Sequence, residues 1–123
     1  MSFEPKEPVQ LQPPSDQPIT LEELYQCDGV KSPYIYVAIK GTVFDVTHNS
    51  KAYGVGQGYH ALVGRDASKA LGKSSLKPED LNPAECWDYS DLNEKQLQTL
   101  ENWFTFFSKR YNIVGKVVGL PGR

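Results

Sequence analysis

The sequence predicts a small α+β domain in which a short sheet opens into a loop-walled cleft. Three stretches predict it. The first, Tyr34 to Leu71, reads YIYVAIKGTVFDVTHNSKAYGVGQGYHALVGRDASKAL. It places two apolar strands about a Lys-Gly turn, then a glycine-rich loop with two tyrosines and a histidine, then a short helix. In the second, Leu97, Leu100, Phe104, Phe107 and Tyr111 recur at spacings of three, four, three and four, one face of an α-helix. The third, Ile113 to Val118, is a closing strand that Gly115 is expected to break.

Composition bounds the class. A chain of 123 residues, 39% hydrophobic and 23% charged, suits one soluble domain. A formal net charge of -2 argues against bulk attraction to nucleic acid. No run approaches the roughly 18 apolar residues that cross a bilayer. The opening MSFEPKEPVQ lacks the apolar core of a signal peptide. A soluble, cytoplasmic protein without a transmembrane segment is expected. Cys27 and Cys86 form no metal-binding pattern and read as simple thiols.

Taken in order, residues 1–18 hold five prolines among polar side chains and read as a loose arm, with Val9 and Leu11 able to lie against the domain. Thr20-Leu21-Glu22-Glu23 is a capping box, so a short helix starts there, and Asp28-Gly29 ends it. Tyr34–Ile39 is rich in aromatic and β-branched residues, and Thr42–Val46 returns antiparallel across Lys40-Gly41. Val43 and Asp45 then face away from Phe44 and Val46. Gly54, Gly56, Gly58 and Gly64 permit sharp backbone paths and close approach of a flat ligand. Asp66 is expected to cap a helix over Ala67–Leu71, with Gly72 as its stop. Pro78 and Pro83 break the polar stretch 73–91, Lys77–Leu81 makes a single helical turn, and Cys86, Trp87 and Tyr89 tuck against the core. Asn93 and Gln96 cap the long helix, whose apolar face Trp103 widens. Residues 119–123 form a tail.

The chemistry on offer centres on Tyr53, Tyr59 and Tyr111, which stand near the cleft boundaries. A deprotonated tyrosine oxygen ligates ferric iron, and a second phenol nearby can donate a hydrogen bond to it. A half-buried tyrosine with its hydroxyl in water is the structural alternative for each. His60 is the rival ligand. With His48 as the only other histidine, the pair is too sparse for zinc, and the two share one short loop rather than opposite faces of a haem. Gly54-Val55-Gly56-Gln57-Gly58 lacks the Gly-Lys-Ser/Thr ending of a phosphate loop. No nucleophile elbow accompanies His60 and Asp66, so no enzymatic activity is expected. Arg65, Lys69, Lys109, Arg110 and Lys116 read as solvated charges, although Arg110 beside Tyr111 can meet a ligand carboxylate.

The pieces LEELYQCDG (21–29), YVAIKGTVFDVT (36–47), KAYG (51–54), GY (58–59), GRDASKALG (64–72) and KRYNIVGKV (109–117) together resemble the membrane-associated progesterone receptor family. That family is a branch of the cytochrome b5-like haem/steroid-binding domains, and the likeness is greatest to its small plant and fungal members. It covers about residues 19–118, which are expected to form the domain. The resemblance implies a cytochrome b5-like α+β fold, a small mixed sheet with short helices lining a haem crevice. It also implies bound haem b, with Tyr59 on the axial position and therefore the metal ligand. Tyr53 falls on the tyrosine that hydrogen-bonds near that phenolate, and Tyr111 on a late tyrosine facing the haem edge. Arg110 stands where some relatives have lysine. His60 follows the implied ligand where relatives often carry a small residue, and a distal or solvent-facing role is expected for it. The His-Pro-Gly-Gly segment of ordinary cytochrome b5 is absent. The implied role is support of cytochrome P450 enzymes or haem handling in sterol metabolism, with peripheral placement at the endoplasmic reticulum and a haem-dependent homodimer. The alternatives are a steroid-binding or other small-molecule adaptor without haem, and a b5-type electron carrier.

Overall fold

The structure, a computed structural model, describes residues 11–82 and 85–120. In chain order it contains β1 (Pro18–Thr20), α1 (Leu21–Gln26), β2 (Tyr36–Ile39), β3 (Thr42–Asp45), α2 (Ser50–Tyr53), α3 (Ser68–Gly72), α4 (Glu94–Ser108) and β4 (Asn112–Val118). Single 3-10 turns lie at His60–Leu62 and Pro78–Asp80, the second matching the helical turn expected over Lys77–Leu81. The strands form one mixed sheet in the order β1-β4-β3-β2. β1 runs parallel to β4, and the other pairs are antiparallel. Val9, Pro83 and residues 121–123 of the expected tail lie outside the described residues.

Local chemistry fixes the best-defined features. Both capping boxes form: Thr20 with Glu23, and Asn93 with Gln96. Each satisfies two backbone amides that the first helical turn would leave without partners. Lys40 and Gly41 both take positive φ, 53° and 78°, which gives a two-residue turn the twist its strands need. Ile39 then faces Thr42 across the hairpin.

The sheet is buried on both faces, and its period-2 alternation sorts the side chains. Ile35, Val37, Ile39, Phe44 and Val46 join the main core with Leu62, Leu71, Leu100 and Phe107. Ala38 and Val43 face a smaller core with Ile19 and Leu24. Phe44 and Val46 thus lie opposite Val43, as their alternation predicts. Along α4 the buried face is Leu100 and Phe107, flanked by the half-buried Trp103 and Phe104. Leu97, predicted on that face, is 38% exposed. It sits in the first turn of α4, beyond the reach of the sheet. Tyr111 lies past the end of α4, at the turn into β4.

Several other expectations are corrected. Gly115 does not break β4. It is buried where β1 and the residue before it lie alongside β4, and a Cβ there would come 2.5 Å from both Gln17 O and Ile19 Cδ1. Val43 pairs with Gly115 but Phe44 pairs with Ile113, so Val114 is the extra residue of a bulge. Part of the proline-rich stretch lies along this strand. Gln12 N donates to Asn112 Oδ1 at 2.8 Å and Ser15 N to Ile113 O at 2.9 Å, while Lys116 N donates to Gln17 O at 2.9 Å. Such backbone pairing leaves no side-chain period to read. Gly72 is the last residue of α3 rather than its stop, and Ala67 occupies the N-cap.

Asp66, expected as that cap, has a wider role. It is fully buried. Its carboxylate accepts from Ser68 N at 3.1 Å, from Ser68 Oγ, and from Gly41 N at 2.8 Å. Ser68 Oγ in turn accepts from Lys40 N at 2.7 Å. The hairpin turn is therefore tied to the start of α3. Ala38 N to Arg65 O and Ala67 N to Ala38 O, at 3.0 and 2.9 Å, close the outer edge of β2 against the same segment. Arg65, read as a solvated charge, donates instead to the Val63 and Leu81 carbonyls. Asp66→Ala would leave the Gly41 and Ser68 amides buried without this acceptor, at about 1–3 kcal/mol per group. We expect it to lower the urea midpoint by an amount equivalent to about 2–4 kcal/mol with an unchanged slope.

Candidate functional site

Two tyrosines six residues apart, Tyr53 and Tyr59, meet a distant third, Tyr111, at one end of the main core. α2 carries Tyr53 inward, because Tyr53 N and Ala52 N both donate to Asn49 O at 3.1 Å and wind the chain into a turn. Tyr53 is 3% exposed. Its ring packs edge-on against Phe107, with centroids 6.0 Å apart, and edge-on against Tyr111 at 6.1 Å. The exposed glycine-rich loop follows and returns the chain to its start, where Tyr59 N donates to Ala52 O at 3.0 Å. Tyr59 then lies beside Tyr53, centroids 5.9 Å apart and planes tilted by 32°. Tyr59 remains 43% exposed. The two residues share a chemistry and differ in environment.

Burial sets the acidity of Tyr53. Burial is the main reason the Tyr53 phenol is held protonated well above its ordinary range. The neighbouring Tyr111 and a side-chain hydrogen bond between the two phenols act in the same direction. Tyr111 is held from a third side, because Asn49 Nδ2 donates to its hydroxyl oxygen at 2.8 Å. Tyr59 faces a cleft of about 250 Å³ walled by Leu62, Ala70, Leu71, Leu76 and Trp103, with Ser74 and Ser75 as its polar part. A wider open depression adjoins it, sharing Ser74, Ser75 and Leu76 and adding Lys69, Lys73 and Lys77. Lys73 there is paired with Asp80 at 3.4 Å.

The other predicted residues lie around this cluster. Arg110 follows α4, its guanidinium 3.8 Å over the Phe106 ring and donating to Phe106 O at 3.3 Å. Both contacts are made to a residue of α4. His60 is half-buried, with Nδ1 2.9 Å from Tyr53 O. His48 is exposed. Among the described residues, no group of three or more His, Cys, Asp and Glu side chains is placed to hold a metal ion. Tyr59 is the phenol among the residues that line the cleft. A phenolate is a hard anionic oxygen suited to ferric iron, and an apolar cleft beside it suits a flat aromatic ligand. The residues present therefore fit a haem. Sequence reading missed Asn49. Its signal was a cap-type residue before Ser-Lys-Ala-Tyr, but its side chain is spent on Tyr111, 62 positions away.

Sheet, helices and cleft define a cytochrome b5-like α+β domain, and comparison with known proteins agrees. The family described as Cytochrome b5-like Heme/Steroid binding domain matches residues 20–117, and the chain belongs to it. Its relatives place it with the membrane-associated progesterone receptor group. It is 47% identical over 100 residues to Probable steroid-binding protein 3 of Arabidopsis thaliana, covering 80% of this chain and 96% of that one. It is 39% identical over 120 residues to Cytochrome P450 regulator dap1 of Schizosaccharomyces pombe, covering 95% and 69%. It is 40% identical to Membrane-associated progesterone receptor component 2 of Rattus norvegicus over 99 residues, which span 45% of that longer protein. A solved Arabidopsis thaliana structure described as having a cytochrome b5 like fold superposes with a TM-score of 0.73 at 45% identity, covering 84% of this chain and 92% of the other. These names describe a binding protein, a regulator and a receptor component, in agreement with a protein that is not an enzyme. No helix among the described residues is long and apolar enough to cross a membrane.

The buried phenol has a measurable consequence. Because the folded pKa of Tyr53 is raised above its ordinary value of 10.0, its protonated form adds stability that is complete below about pH 10 and lost as pH rises beyond it. Tyr53→Phe keeps the ring and removes this dependence. Near neutral pH we expect the variant to be about 1 kcal/mol less stable, through the lost hydrogen bond. By about pH 11 the wild type should lose about 1.4 kcal/mol relative to the variant, enough to close the gap or slightly reverse it, as read by urea unfolding at both pH values.

Proposed function

We propose that the protein binds haem b with Tyr59 as the axial ligand to ferric iron, and that it supports cytochrome P450 enzymes or haem handling in sterol metabolism. The observation that carries this reading is the asymmetry of the tyrosine pair. Tyr59 is open to the cleft, while Tyr53, stacked beside it, is buried and protonated. One phenol is exposed, where a metal can reach it, and the other is buried and keeps its proton in a hydrogen bond with Tyr111. Iron bound there supplies a positive charge that lowers the pKa of its ligand, as bound metals do. Tyr53, held protonated, packs beside Tyr59 and against Tyr111, and Leu62, Leu71 and Trp103 provide apolar wall. The depression beside the cleft carries Lys69 and Lys77 along with the paired Lys73 and Asp80 and with Glu79, and its lysines can meet ligand carboxylates. Arg110, next to Tyr111 in sequence and packed over Phe106, is a further cation for a ligand carboxylate in this reading.

A role in P450 support is drawn from the named fungal relative, which aligns with 95% of this chain. Peripheral residence at the endoplasmic reticulum follows from the same reading. Anionic oxygen stabilises the ferric state, which argues against a b5-type electron carrier. A second reading has its own support: the cleft, at about 250 Å³, is small for a ligand pocket, and the most similar plant relative reported above is named for steroid binding. A steroid would use the same apolar wall without any iron.

Titration with haemin separates the two. Under the haem reading the wild type develops a high-spin ferric spectrum, and Tyr59→Phe weakens uptake by at least about tenfold, the loss of roughly 1.4 kcal/mol or more. An unchanged spectrum and affinity in Tyr59→Phe would remove Tyr59 from the iron. A chain that takes up no haemin yet binds a steroid would favour the second reading.

A further inference from the structure

We propose that His60 is a positioning residue that latches the glycine-rich loop and so sets the direction in which Tyr59 is presented. The value of that presentation to a ligand rests on the reading of Tyr59 given above. The latch itself rests on geometry. His60 Nδ1 lies 2.9 Å from the carbonyl oxygen of Tyr53. A carbonyl oxygen only accepts, so the proton of the neutral ring sits on Nδ1. The bond joins the two ends of the loop, from the buried tyrosine to the residue after the exposed one.

The loop needs such a tie. Its residues 55–58 are exposed, and a Cβ built on Gly56 or Gly58 would meet no other atom within 4 Å. Nothing packs there to hold the path, and glycines leave the backbone wide freedom to lose on ordering. Its backbone bonds are Gln57 N to Gly54 O at 3.0 Å, Tyr59 N to Ala52 O at 3.0 Å and His60 N to Gln57 O at 3.1 Å. The imidazole adds a side-chain bond that bridges the span. Because His60 directly follows Tyr59, fixing its ring fixes the backbone from which the Tyr59 side chain departs. The same bond commits Nδ1 as a donor, so that nitrogen is not a metal ligand in this arrangement.

The test uses the ligand-free chain, so that it does not depend on haem. The side-chain amide of Asn places a donor where Nδ1 stood, and that of Gln places it where Nε2 stood. We expect His60→Ala and His60→Gln to speed amide exchange at Tyr59 by about fivefold relative to Val43 in the sheet, one ordinary hydrogen bond's worth. His60→Asn should restore the wild-type rate. Nitrogen-15 spectra of the wild-type imidazole should show the proton on Nδ1. Equal exchange in wild type and His60→Ala, equal loss in the Asn and Ala variants, or a proton on Nε2 would each overturn the latch. Haemin affinity should follow the same order. If haemin binds the wild type and all three variants alike while the exchange pattern holds, the positioning role is overturned. If haemin does not bind the wild type at all, it is the haem reading that fails, and the exchange data still decide the latch.

Discussion

The ring of Phe107 is the contact on which the site depends. It is fully buried and lies within 5.1–6.2 Å, centroid to centroid, of Phe44, Tyr53, Trp103, Phe106 and Tyr111. Phe44 belongs to the sheet, Trp103 to a wall of the cleft, and Tyr53 and Tyr111 to the phenol cluster. One side chain near the end of α4 therefore registers sheet, cleft and polar site against each other. Edge-to-face pairs of this kind have preferred geometries, and close-packed interiors transmit displacement rather than absorb it. The hydroxyls of Tyr53 and Tyr111 can bond only because their rings are held against this common neighbour.

Two environments for one residue type follow from that arrangement. Tyr53 comes from a short helix whose inward face the core accepts, so it is buried and keeps its proton. Tyr59 comes from the return of an exposed loop, so its oxygen stays accessible. A site built from two phenols separates their roles by burial, since both begin with the same intrinsic acidity. Neither residue alone distinguishes a ligand site from an ordinary tyrosine in a small domain.

Legibility in the sequence followed distance along the chain. The capping boxes at Thr20 and Asn93 and the Lys40-Gly41 turn were readable because every participating atom lies within a few residues. The stripe Leu100, Phe104 and Phe107 was readable because burial imposes a period. Tyr53, Tyr59 and Tyr111 were set near the cleft boundaries from the residues and given roles through resemblance to a known family, and the structure packs the Tyr53 ring against both of the others. What the sequence concealed is non-local. Gly115 is small because Gln17 and Ile19 of the neighbouring chain segment press against it, not because the strand stops. Asp66 serves a turn 25 positions earlier as well as its own helix. Asn49 reaches Tyr111 across the whole site, and Arg65 binds carbonyls rather than water. Each was legible as a residue type suited to a local task, and each is used elsewhere.

The central claim is that the exposed phenol of the pair becomes an anionic iron ligand while the buried one stays neutral. Resonance Raman spectroscopy of the ferric haem complex, prepared with ring-deuterated tyrosine and compared with unlabelled protein, addresses it directly. Phenolate ring modes enhanced through a charge-transfer band, shifted by the label, present in Tyr53→Phe and absent from Tyr59→Phe, are the predicted result. A complex without tyrosine modes, or with iron–histidine modes that disappear in His60→Ala, would contradict it.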